Sequence, residues 1–136
     1  MGQMNKLRNS LPRWTRDVSG SVAVEFALLL PVYIAVIFGI IEFGRMIWIR
    51  NTLEFAAEQA ARYGAVRSAS QTAATIETYA RSQMLGMDSS NANLDFTVTP
   101  CGTTITVVGT YNFTTLISAY VPIPATTLTV TATFAC

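Results

Sequence analysis

The chain has 136 residues, enough for one small domain plus an anchor, and 51% of them are hydrophobic. Mean hydropathy is +0.38, high enough in so small a protein that a membrane segment is the first thing to seek. There is no histidine, which excludes a His-based triad, a His general base and a His metal site, and the net charge of +1 does not call for a nucleic-acid partner.

Charge is unevenly placed. Residues 1–19 carry Lys6, Arg8, Arg13 and Arg16 against Asp17 alone, while the rest of the chain is slightly acidic. A basic head before an apolar run holds its terminus in the cytoplasm, because positive charge resists translocation. Ser10 and Pro12 oppose a continuous helix, so residues 1–20 read as a polar leader.

From Val18 to Ile41 the only charged residue is Glu25. The run is long enough to cross a hydrocarbon core of roughly 30 Å at about 1.5 Å per residue. It is too long for the apolar region of a secretory signal, and no small-x-small cleavage site follows it, so the mature protein is expected to keep this helix. Pro31 inside the run removes one backbone donor and predicts a bend or local opening. Glu42 and Arg45 mark the exit, with Trp48 as an interfacial anchor.

The helix is expected to continue to residue 66, because residues 46–66 are rich in Ala, Glu, Gln, Leu and Arg. Arg50 and Glu54, and Glu58 and Arg62, stand four apart; such pairs stabilise by a few tenths of a kcal/mol each. Ala56, Ala60 and Gly64 form one small-residue row, and Ala57, Ala61 and Ala65 another. Such rows admit a close neighbour, either the chain's own domain or another subunit, although Ala is also simply a good helix former.

Residues 67–71 read as a break. A second helix is predicted over Gln71–Leu85, capped by Ser70 or Thr72, stopped at Gly86, with Ala74, Tyr79 and Met84 as packing residues. Residues 88–93 are a loop. From Leu94 the period becomes two. Leu94, Phe96 and Val98 alternate with polar residues, as do Ile105, Val107, Tyr111 and Phe113, and again Leu128, Val130, Ala132 and Phe134. This predicts three strands with one buried face and one threonine face that is wet or meets a neighbour. Pro100-Cys101-Gly102-Thr103 turns the chain between the first two strands, and residues 114–125 carry it back to the third.

An antiparallel meander sets the end of strand three beside the start of strand two, and so Cys136 beside Cys101. A disulfide is expected there, closing a loop of about 36 residues and stabilising by roughly 3–4 kcal/mol; it would place the domain in an oxidising compartment. The alternative is two unpaired buried thiols. Two thiols without histidine cannot complete a zinc site, and no cofactor is expected.

Residues 20–26, Gly-Ser-Val-Ala-Val-Glu-Phe, concentrate the functional signal. A lone carboxylate at membrane depth is costly and marks a functional candidate, unless it snorkels into the headgroup region. The constellation of basic leader, Gly20, Glu25, Phe26 and a long apolar helix resembles the processing site of type IV prepilins. That resemblance implies cleavage between Gly20 and Ser21 by a membrane-embedded prepilin peptidase. It also implies that Glu25 compensates the new N-terminal amine of an adjacent subunit. The stretch from Ser21 to Tyr33, with its Glu-Phe and Leu-Leu-Leu-Pro elements, and Ile-Glu-Phe-Gly-Arg at residues 41–45, is similar to the TadE-like family, pseudopilins of tight-adherence (Flp-type) pilus systems. The similarity covers about residues 20–63. Major pilins of such systems are short and nearly all helix, so the added β-rich region implies a minor pilin.

The expectation is therefore an α+β protein: a leader over 1–20, a transmembrane and extended helix over 21–66, and an extracytoplasmic domain over 67–136 with a second helix and a three-stranded antiparallel sheet. It is a single-pass inner-membrane protein with a cytoplasmic N-terminus. Its expected partners are a prepilin peptidase, the inner-membrane assembly platform, other pilin subunits and the lipid bilayer. Catalysis is not expected. One rival is an uncleaved, membrane-anchored extracytoplasmic binding protein. Another is a cell-envelope enzyme using Asp88 and Asp95, the only carboxylates after Glu77.

Overall fold

The computed structural model describes residues 19–67, 70–119 and 123–136. The basic residues of the leader lie outside them.

Helix α1 runs from Ser19 to Val66 as one 48-residue α-helix and continues through Pro31. Proline there leaves the carbonyl of Ala27 without its donor, and the intact turns on either side hold the helical path. Two compact units divide this chain, one up to Gly39 and the other from Ile40 to Cys136. In the first, every residue from Gly20 to Gly39 is exposed. This stretch is long and apolar enough to cross a membrane.

The second unit holds the rest of the fold. Helix α2, Ala73–Ser82, is shorter than the sequence predicts at both ends. Thr72 caps it, its hydroxyl accepting from the Thr75 N–H. Past Ser82 the chain tightens, with the Gln83 N–H shared between the Tyr79 and Ala80 carbonyls, and turns through Gly86 at φ +71°, which a side chain would strain. The packing stripe of α2 is Ile76, Ala80 and Met84 at spacing four, all buried. Ala74, expected in that stripe, is exposed. It is two residues before Ile76, which on a helix points well away from it. Tyr79 packs against the core as expected and stacks on Tyr63, with ring centroids 4.3 Å apart.

Strands β1 (Leu94–Thr99), β2 (Thr104–Phe113) and β3 (Thr126–Ala135) form an antiparallel meander in the order β1-β2-β3. Leu94 pairs with Tyr111, and Thr104 with Ala135. That register turns Leu94, Phe96, Val98, Ile105, Val107, Tyr111, Phe113, Val130 and Ala132 to one buried face. Thr97, Thr99, Thr127, Thr129, Thr131 and Thr133 stand on the opposite, exposed face.

The buried face packs on α1, and the alanine rows are the means. Leu53, Ala56, Ala57, Ala60 and Ala61 join Ile49 and the sheet residues in one core. Of the readings left open for these rows, the chain's own domain, sheet and α2 together, is the occupant. Gly64 ends one row where Ile105 and Ile76 press closest, so a Cβ there would collide with their Cδ1 atoms. β3 runs in the same direction as α1. Its start, Thr127–Thr129, shares a groove with Phe43, Met46, Ile47 and Arg50; its end, Val130–Phe134, shares one with Glu54, Ala57 and Glu58. Arg62 lies over the Phe134 ring, 5.3 Å from its centroid.

Cys101 and Cys136 form the expected disulfide, with Cα atoms 6.1 Å apart. It follows from the meander, since the Cys136 N–H also donates to the Thr103 carbonyl and extends the β2–β3 ladder by one rung.

Candidate functional site

Gly20, Ser21, Glu25 and Phe26 all lie on α1, within the first eight described residues of the chain. Ser21 and Glu25 are four apart and so share a helix face. All four residues are exposed, Phe26 at 65%. Glu25 has no ion-pair partner among the described residues. The apolar side chains after it, Leu28, Leu29, Val32, Tyr33 and Val36, are each more than half exposed. A surface this apolar on every side of a helix suits lipid or other helices, not water.

A second cluster stands where the apolar run ends. Glu42 is only 8% exposed. Arg45, one turn on, donates to its Oε2 from Nη2 at 3.0 Å and from Nε at 3.2 Å. The opposite carboxylate oxygen accepts from the Leu116 backbone N–H, and Arg45 Nη2 also donates to the Thr114 carbonyl. Arg45 further lies over the Phe113 ring, 4.5 Å from its centroid. The two charges thus pair with each other and grip the chain as it leaves β2. Leu116 opens a short 3₁₀ helix, Leu116–Ala119, and the Glu42 carboxylate satisfies its first donor. Sequence reasoning took Glu42 and Arg45 as boundary markers and missed this grip. Their i, i+3 spacing could have suggested the ion pair, but nothing local names the loop 74 residues away.

Several of the remaining charged residues form structural ties. Arg62 and Glu58 approach to 3.9 Å, while no ion pair closes between Arg50 and Glu54, whose solvated side chains gain little from pairing. Trp48 is partly exposed, and its ring lies beside Gly86, where a Cβ would come within 3.2 Å of Cζ2. Asp95 pairs with Arg81 at 3.1 Å, joining α2 to β1. Asp88 accepts from the Ser90 N–H at 2.9 Å and from its hydroxyl at 2.8 Å, and these bonds hold its carboxyl below the usual carboxylate range. Both carboxylates candidate for catalysis are thus engaged in local ties, one in a turn and one between elements.

Residues 20–62 match the model of the TadE-like protein family. The match begins at Gly20, takes in Glu25, Glu42 and Arg45, and ends at Arg62. It covers about a third of the chain, all of it on α1, and leaves α2 and the sheet outside. No curated protein and no solved structure matches the chain.

Proposed function

We propose, from the TadE-like segment at residues 20–62, that this protein is a minor pilin of a tight-adherence (Flp-type) pilus, acting in assembly by priming, capping or decorating the fibre. The observation that carries this reading is the family match on a helix whose first half is exposed on every side. Such a surface is stable in a bilayer, and again when packed among other helices in a fibre core. The role is structural, not catalytic.

In this reading α1 crosses the inner membrane with residues 1–20 in the cytoplasm. A prepilin peptidase cuts between Gly20 and Ser21. The new amine at Ser21 and the carboxylate of Glu25 are each costly in lipid, and pairing between subunits relieves both. The assembly platform and other pilin subunits are its partners. The disulfide fits a domain on the oxidising side of the membrane.

Intact mass of the protein recovered from its native host is the deciding measurement. The expected result is loss of residues 1–20. A full-length N-terminus beside an active peptidase would instead favour an uncleaved, membrane-anchored binding protein. Glu25→Ala is expected to leave cleavage intact and abolish pilus assembly; normal pili from that variant would remove the charge-pairing role.

A further inference from the structure

The Glu42–Arg45 grip fixes more than a loop. We propose that the 3₁₀ segment Leu116–Ala119, together with Ile123, rests in the outer face of the bilayer as a second, interfacial membrane contact, held at that depth by Glu42 and Arg45. The proposal rests on α1 crossing a membrane and is independent of any role in a pilus.

Depth is the first argument. The uninterrupted apolar run ends at Ile41, and Ile40 and Ile41 are 68% and 50% exposed within the same compact unit as the loop. At about 1.5 Å per residue, Glu42 and Arg45 lie within roughly 6 Å of Ile41 along the helix axis. The Leu116 N–H is bonded to Glu42 and the Thr114 carbonyl to Arg45, so the segment starts at the level where hydrocarbon gives way to headgroups.

Chemistry is the second. Leu116 is 58% exposed and Ile123 39%, and no charged residue occurs anywhere after Asp95. The Ser118 N–H and hydroxyl both donate to the Thr115 carbonyl, at 3.2 and 2.7 Å, so these two donors cost less to bring against lipid. The two charges at this level are treated the same way. Glu42 accepts three hydrogen bonds and is paired, and Arg45 is spread over a carboxylate, a carbonyl and an aromatic ring. A neutral, fully bonded pair is the form in which charge tolerates a low dielectric. A protein partner is the weaker occupant, because two exposed apolar side chains fall far short of a specific protein interface. They are enough for a shallow contact that α1 already anchors.

The test uses the full chain in phosphatidylcholine vesicles with its native disulfide. A nitroxide is placed at Leu116→Cys, with Val36→Cys and Thr131→Cys as references in the apolar run and on the exposed sheet face. Collision with oxygen against a water-soluble nickel complex reads depth. The ratio at position 116 is expected to fall between the references and several-fold above position 131, and Ile123→Cys is expected to agree. Equality with position 131 overturns the proposal. So does shielding from both reagents that varies with protein density, which marks a protein contact. If position 36 itself reads as water, the anchor assignment fails, and the proposal with it. Arg45→Met is expected to raise nitroxide mobility at position 116 and lower its oxygen ratio; an unchanged depth would remove the grip's role.

Discussion

The two halves of α1 are both helical and both present apolar side chains, yet they serve different surroundings. Up to Gly39 the helix carries large side chains, Phe, Leu, Ile, Val and Tyr, on every side, and all are exposed. From Ile49 onward the apolar residues shrink to alanine on one face, and Ala56, Ala57, Ala60 and Ala61 are sealed against the sheet. The halves differ in the size and placement of their apolar residues as well as in charge, since the second half also carries Arg50, Glu54, Glu58 and Arg62. A neighbour of the first half must be fluid or be another helix; a neighbour of the second is a fixed sheet that demands small residues for close approach.

The comparison can be broken most forcefully at the sheet's far end. Replacing Cys101 and Cys136 by Ser removes a cross-link across 35 positions and is expected to cost about 4 kcal/mol. A fall in the denaturant midpoint of the detergent-solubilised protein, followed by near-ultraviolet dichroism, is the readout. Smaller, and more local, is Leu53→Ala. Leu53 is fully buried between helix and sheet, and truncation there is expected to cost about 3 kcal/mol. Smallest is the same chemical change in the first half. Leu28→Ala removes an exposed side chain and is expected to shift the midpoint of the second unit by less than about 0.5 kcal/mol. A large loss from Leu28→Ala would mean that the halves are not separate in the way described.

Much of the fold was legible because it is encoded locally. Alternation from Leu94 onward specified the strands, and a meander of those strands implied the disulfide. Thr72 was a recognisable cap. Of the residues expected to pack on the α2 side, Met84 and Tyr79 do and Ala74 does not; only the structure beneath decides which alanine turns inward. The alanine rows announced a close neighbour without naming it, since a sheet and a second helix ask for the same small residues. The Glu42–Arg45 grip was beyond reach, as its partners are backbone groups of a distant loop. At the amino-terminal site the sequence carried nearly all the information. Gly20, Ser21, Glu25 and Phe26 are defined by spacing along one helix, and the fold adds chiefly their exposure.

The shared direction of α1 and β3 has a mechanical consequence. Traction along α1 enters the second unit beside the start of β3 and runs toward Cys136. It therefore loads the β2–β3 ladder lengthwise. Its ten residue pairs resist together, as a lap joint does, rather than parting one by one like a zipper. At the far end, the Cys101–Cys136 bond is a rivet that keeps the two strands from sliding past each other.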